Sequence, residues 1–114
     1  MITVNEVASK AIRFCIMDGG REIARAWLYI IKNDLREVPY GLLEDVWVDP
    51  DCRNNGHAST LVRAAITRAK ELACYKLIAT SRLEREKVHK LYKELGFISH
   101  GYEFRMDFLL EGER

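Results

Sequence analysis

No stretch of the 114 residues approaches the roughly 20 consecutive apolar positions that span a bilayer, so no membrane segment is expected. The opening residues, MITVNEVASK, lack the basic start, apolar run and small-residue cleavage site of a secretory signal, which points to a cytoplasmic protein. Neither sign of charge is in excess. Eighteen basic and seventeen acidic residues leave a net charge of +1, which removes the global electrostatic reason to expect a nucleic-acid partner. Cysteine is scarce: Cys15, Cys52 and Cys74 show no CxxC spacing, and with His57, His89 and His100 they match no zinc pattern, so reduced thiols and no metal are expected. Cys52 lies beside the loop discussed below, but no candidate base is near it in sequence to activate it as a nucleophile. With only two prolines, and with no repeat, low-complexity stretch or linker, the chain reads as one domain covering residues 1–114.

What is present is the patterning of a small α/β protein, 48% hydrophobic and 31% charged. AIRFCIM and REIARAWLYIIK flank a DGG turn signal and predict a hairpin. After a loop punctuated by Pro39 and Gly41, LLEDVWV (Leu42 to Val48) predicts a third strand. The period then changes. Ala58, Leu61, Val62, Ala65, Ile66, Ala69, Leu72 and Ala73 recur at helical spacing and predict a helix with one face on a sheet. KLIATS predicts a short buried strand, and EREKVHKLYKEL a second helix, stopped by Gly96, with Val88, Leu91, Tyr92 and Leu95 on one side. GYEFRMDFLL alternates and predicts a last strand. The expected order is β-β-β-α-β-α-β, a mixed sheet in which an antiparallel hairpin leads into one βαβ crossover.

That order places VDPDCRNNGHAS, residues Val48 to Ser59, between a strand and a helix. A helix amino terminus presents unpaired N–H groups and a partial positive charge, so it favours an anion such as phosphate. Gly56 permits a close backbone approach, Arg53 adds a cation, and Ser59 or Thr60 offers a hydroxyl. The stretch lacks the GK[ST] of a Walker A loop and the GxGxxG of a dinucleotide fingerprint.

The loop resembles the acetyl-CoA signature of the GNAT acetyltransferase superfamily, [RQ]-x-x-G-x-[GA] after a strand ending V-x-P, with Arg53, Gly56 and Ala58 at the three defined positions. HKLYKELGF resembles a second segment of that superfamily at the expected separation, so the likeness runs from about Ala11 to Phe108. It implies a GNAT-like fold and an N-acetyltransferase that moves an acetyl group from acetyl-CoA to a primary amine in a ternary complex. It further implies that the backbone of Arg53, Asn54, Asn55, Gly56, His57, Ala58 and Ser59 holds the pyrophosphate, and that Trp47 and Val48 pair with the pantetheine arm. Tyr92 matches the tyrosine that protonates the departing thiolate, for which a neutral phenol with a pKa of about 10 is suited.

The acceptor amine needs a base. In LLEDVWV, Glu44 and Asp45 are expected on opposite faces because strand side chains alternate, and likeness to the E-D pair of polyamine and glucosamine-phosphate acetyltransferases favours Glu44, with Asp45 in reserve. The chain also departs from the superfamily pattern. Arg85 replaces an asparagine seven positions before the tyrosine and is expected on the cofactor's phosphates, and bulky His57 sits inside the loop motif. Only about ten residues precede the hairpin, where the superfamily carries a strand and a helix pair that wall the acceptor side. This shortening, with the apolar AWLYII, raises the expectation of a homodimer.

Plainer roles stand beside these. Periodicity alone makes Tyr92 a half-buried core residue, and Glu44 and Asp45 ion-pair partners for Arg13, Arg25 or Arg105. Trp27, Tyr29, Trp47 and Phe104 read as sheet-packing residues. A non-catalytic acyl-CoA-binding regulatory module is the alternative function, and a nucleotide-binding domain a third.

Overall fold

The structure is a computed structural model that describes residues 1–109. Strands β1 (Lys10–Asp18) and β2 (Arg21–Ile31) form an antiparallel hairpin. Gly19 (φ 58°) and Gly20 (φ 82°) make its two-residue turn, where positive φ at both positions matches the twist of the strands. β3 (Tyr40–Val48) lies antiparallel to β2, with Leu28 opposite Leu43 and Trp27 opposite Glu44. Helix α1 (His57–Glu71) then returns the chain so that β4 (Leu77–Ala79) runs parallel to β3, with Gly41 opposite Leu77 and Leu43 opposite Ala79. Helix α2 (Glu86–Glu94) follows. The result is a four-stranded mixed sheet in the order β1-β2-β3-β4.

The core lies between one face of the sheet and α1. Alternation along β2 sends Ala24, Ala26 and Leu28 to that face, where they meet Leu43 of β3 and Leu61, Val62, Ala65 and Ala69 of α1, all buried. Alanines on both layers let the helix approach closely. Leu28, Leu43 and Val62 are fully enclosed, each contributing about 1.5–3 kcal/mol by leaving water. Tyr92, Leu95 and Phe97 close the end of the same cluster.

Two sequence expectations are corrected. Gly41 is not a loop residue but a buried position within β3, where an added Cβ would stand 2.9 Å from Leu77 Cδ1 and 3.1 Å from Leu28 Cδ1. Its small size lets the start of β3 pack against both neighbours. The tail also differs: Gly101 to Leu109 joins no sheet, so the described order is β-β-β-α-β-α, and Leu110 of the expected strand lies outside the described residues. Phe104 is therefore exposed rather than packed on the sheet.

AWLYII proves internal, since β2 is paired on both sides. Its outer alternates do remain on the face opposite α1, where Trp27 and Tyr29 stack with centroids 6.0 Å apart and Arg13 lies 5.8 Å over Trp27. Among the described residues, no helix is long and apolar enough to cross a membrane.

Candidate active site at the end of β3

The site begins where the sheet ladder fails. Arg25 pairs with Trp47 and Trp27 with Glu44, so Ala26 alone on β2 faces both Asp45 and Val46 on β3. This is a β-bulge, and Asp45 takes the left-handed conformation at φ 51°, which aspartate tolerates better than most residues. Pairing of β3 with β4 stops at Leu43, immediately before the bulge. From Glu44 to Val48 the β4 side of β3 thus carries no strand partner among the described residues, so its backbone groups, the Arg53-bound carbonyl of Val48 excepted, face no neighbouring strand there. Trp47 and Val48 lie on this open segment, and Arg25 covers the Trp47 ring at 4.7 Å.

The bulge also overturns the expected separation of the carboxylates. Glu44 and Asp45 are both exposed and both line one shallow depression with Ser9, Tyr29, Ile31 and Leu42. Their surroundings differ. Asp45 is held by Arg25, whose Nε donates to Oδ2 at 2.8 Å, whereas Glu44 has no ion-pair or hydrogen-bond partner among the described residues. Asp45 therefore takes the plainer role that its neighbouring arginines allowed, and Glu44 does not.

After β3 the chain turns through Pro50–Cys52, a short 3-10 segment. Asp49 anchors it by accepting from the Asp51 backbone N–H at 2.9 Å and from Arg21 Nη1 at 2.5 Å. These two bonds hold its carboxyl below the ordinary carboxylate range. Arg53 folds back to donate from Nε to the Val48 carbonyl at 3.1 Å, and Asn55 Nδ2 donates to the Cys52 carbonyl at 3.1 Å. Asn54 (φ 67°) and Gly56 (φ 79°) both occupy the left-handed region and bring the loop onto the helix.

Gly56 is the N-cap of α1, and no side chain caps the helix; its first turn contains no acidic residue. The N–H groups of His57, Ala58 and Ser59 precede the first intrahelical bond, from Thr60 N to the Gly56 carbonyl at 3.0 Å, and find no partner among the described residues. Three adjacent free donors with the positive end of a helix dipole suit an anion. The Ser59 hydroxyl is engaged by Arg63 Nε at 3.1 Å, and that of Thr60 donates to the Gly56 carbonyl, so the backbone rather than either hydroxyl is free.

Tyr92 arrives from α2, with its ring 5.2 Å from that of Phe97. Burial, the largest influence, raises its phenol above the ordinary value; the Arg85 charge opposes this and the Glu44 charge adds to it. Arg85 and Glu44 thus both lie within electrostatic reach of Tyr92, although 48 residues separate Glu44 from it in the chain. Arg85 is the N-cap of α2. Cys15, Cys52 and Cys74 are free thiols, and among the described residues no group of three or more His, Cys, Asp and Glu could hold a metal ion.

The sequence profile of the Acetyltransferase (GNAT) family matches residues 5–97, which include the bulge, the loop and Tyr92. The chain belongs to this family. A glucosamine 6-phosphate N-acetyltransferase of Trypanosoma brucei brucei is 34% identical over 95 residues, 82% of this chain and 63% of that protein. An aminoglycoside N(6')-acetyltransferase type 1 of Acinetobacter haemolyticus is 32% identical over 65 residues, 57% of this chain and 45% of that protein. Among solved structures, a Trypanosoma brucei acetyltransferase superposes with a TM-score of 0.76 at 30% identity, covering 86% of this chain and 69% of the other. The chain thus spans less than two thirds of the curated relatives it matches. The GNAT-like mixed sheet expected from the sequence agrees with this fold.

Sequence reading missed the bulge and the Arg21–Asp49 anchor, whereas Arg25 stands among the partners it offers Asp45. No residue type marks the bulge, because Asp45 reads equally well in a regular strand.

Proposed function

We propose that this GNAT-family chain is an N-acetyltransferase that uses acetyl-CoA as donor and a primary amine as acceptor, by direct attack in a ternary complex. The observation that carries the reading is the pairing, within one loop and one strand, of two open backbone surfaces. The free N–H groups of His57, Ala58 and Ser59 suit a pyrophosphate, and the unpaired edge of β3 at Trp47 and Val48 suits an amide-bearing pantetheine arm. The loop fits this ligand: Gly56 is left-handed, and a Cβ there would meet nothing within 4 Å, so space lies open over the helix end. Arg53, Asn54 and Asn55 shape the loop, and Arg85 contributes positive charge near the reacting end.

Glu44, uncompensated and exposed, accepts the proton that the acceptor ammonium must lose before its nitrogen can attack. The backbone of the bulged strand polarises the thioester carbonyl. As the carbon–sulfur bond breaks, Tyr92, neutral and half-buried, donates its proton to the thiolate. Because Asp45 is already paired with Arg25, Glu44 is the free charge on the depression among the described residues, which favours a cationic acceptor over an anionic one.

Calorimetric titration with acetyl-CoA, then thiol release against a mixed amine panel, tests the reading. Binding with amine-dependent release is expected. Binding without release favours instead an acyl-CoA-binding regulatory module, and preference for ATP over CoA a nucleotide domain.

A further inference from the structure

The loop before α1 contains a bond that can change the loop's charge. Of the four asparagines, Asn5, Asn33, Asn54 and Asn55, the last alone precedes a glycine. The distinction is chemical. The backbone nitrogen that follows an asparagine can attack the side-chain amide carbon and close a succinimide ring, and the Cβ of any residue but glycine crowds that approach. Asn5, Asn33 and Asn54 are followed by Glu6, Asp34 and Asn55, which carry the obstacle.

Three observations open Asn55 to the reaction. Asn55 and Gly56 are both exposed. The Gly56 N–H, the nucleophile's source, has no hydrogen-bond partner among the described residues. A Cβ on Gly56 would meet nothing within 4 Å, so water reaches the bond. The turn into α1 holds position 56 at φ 79°, which favours glycine, and that same glycine leaves its neighbour reactive.

We propose that Asn55 deamidates spontaneously, and that the carboxylate so formed closes the anion site at the start of α1. The Gly56 nitrogen gives its proton to a solvent base and bonds to Asn55 Cγ. The Cγ–Nδ2 bond breaks, and Nδ2 takes a proton from solvent and leaves as ammonia. One water then opens the succinimide. Attack at Cγ gives aspartate, and attack at the main-chain carbonyl gives isoaspartate, with the backbone routed through the side chain. Both products carry a carboxyl that is ionised at neutral pH, given an ordinary pKa of about 3.9.

The consequence for acetyl-CoA rests on the cofactor reading above. As an amide, Asn55 Nδ2 donates to the carbonyls of Cys52 at 3.1 Å and Arg53 at 3.3 Å, tying the loop together. A carboxylate has no hydrogen to donate and repels both oxygens. Its charge also stands next to the N-cap Gly56, where the helix dipole favours a negative group, so it competes with pyrophosphate for the same N–H groups.

Timed incubation of the full chain in mildly alkaline buffer tests this, with peptide mass spectrometry and acetyl-CoA calorimetry on each sample. The expected result is an amide-to-acid mass gain at Asn55 but not at Asn5, Asn33 or Asn54, with the fraction of chains that bind tightly falling as the gain rises. Asn55→Asp is expected to bind at least about tenfold more weakly than fresh wild type. Asn55→Gln, whose longer side chain disfavours ring closure, should gain no mass and hold its starting affinity throughout. If Asn55 stays intact in the folded chain after the urea-unfolded chain has converted, the site is overturned. Full conversion with undiminished binding overturns its consequence. Fresh wild type that does not bind acetyl-CoA refutes the cofactor reading and with it the consequence, while the mass gain still decides the site. Should Asn55→Asp not fold, the timed wild-type samples alone decide.

Discussion

Arg25 grips Asp45 across the sheet, Nε to Oδ2 at 2.8 Å and Nη2 to Oδ1 at 3.4 Å, at the point where β3 bulges. The contact joins the middle of β2 to the one left-handed residue of β3 and occupies a carboxylate that would otherwise compete with its neighbour. Glu44 stays free beside it. The two acidic residues thus differ in role through their partners rather than through the direction in which they point.

Replacing each carboxylate separates those roles. Glu44→Gln is expected to lower kcat by about 10²–10⁴-fold, the range of a lost general base, with little change in acetyl-CoA affinity. Asp45→Asn should cost stability by loosening the bulge, and lower kcat by less than about tenfold. Steady-state kinetics with thermal melts distinguish the two; a larger kinetic loss in Asp45→Asn would reverse the assignment.

Tyr92→Phe removes the proton donor but keeps the ring against Phe97. A kcat loss of about 10²-fold is expected, with KM for acetyl-CoA nearly unchanged. Burial raises the phenol, so it stays protonated to higher pH than a free tyrosine, and the wild-type rate should not fall from its ionisation until above about pH 10. A fall near neutrality that Tyr92→Phe abolishes would contradict the role.

Gly56→Val tests the loop. No atom lies within 4 Å of the Cβ it would add, so the cost is the left-handed backbone at φ 79°, about 1–2 kcal/mol for a side-chain-bearing residue. If the loop relaxes instead, the three helix N–H groups are re-aimed and acetyl-CoA binding weakens. Calorimetry should report weaker binding, a lower melting temperature, or both; a variant unchanged in both would show that the left-handed turn is dispensable.

Acid should unfold the protein partly through Glu22 and Asp49. Arg13 lowers the carboxyl of Glu22, chiefly by its hydrogen bonds, and the Asp51 N–H and Arg21 lower that of Asp49. A depressed folded pKa contributes stability that is present above the unfolded values, 4.5 and 3.8, and is lost as pH falls through the folded ones. Urea midpoints should therefore drop below about pH 4.5, and Glu22→Gln with Asp49→Asn should flatten that drop. An equally steep fall in the double variant would place the acid-sensitive contacts elsewhere.

Local pattern made much of this fold readable. The DGG turn between two apolar runs announced the hairpin, and the spacing of Leu61, Val62, Ala65 and Ala69 announced α1 and its buried face. The loop motif was legible because backbone requirements leave marks, here a glycine where φ is positive. Pairing between distant segments left no such mark. Alternation predicted opposite faces for Glu44 and Asp45, but one extra residue relative to β2 brought both to one depression. Alternation likewise predicted a strand over GYEFRMDFLL, Gly101 to Leu110, and the pattern is present; a strand also needs a neighbour, and none pairs with it among the described residues. Gly41 read as loop punctuation because sequence shows no difference between a glycine chosen for its turn and one chosen for its size.

The most direct test of the catalytic reading is thiol release from saturating acetyl-CoA with and without a cationic primary amine, in wild type and in Glu44→Gln. Amine-dependent release that collapses in Glu44→Gln while acetyl-CoA still binds is the predicted result. Equal release by both proteins, or binding with no release for any amine, would contradict it.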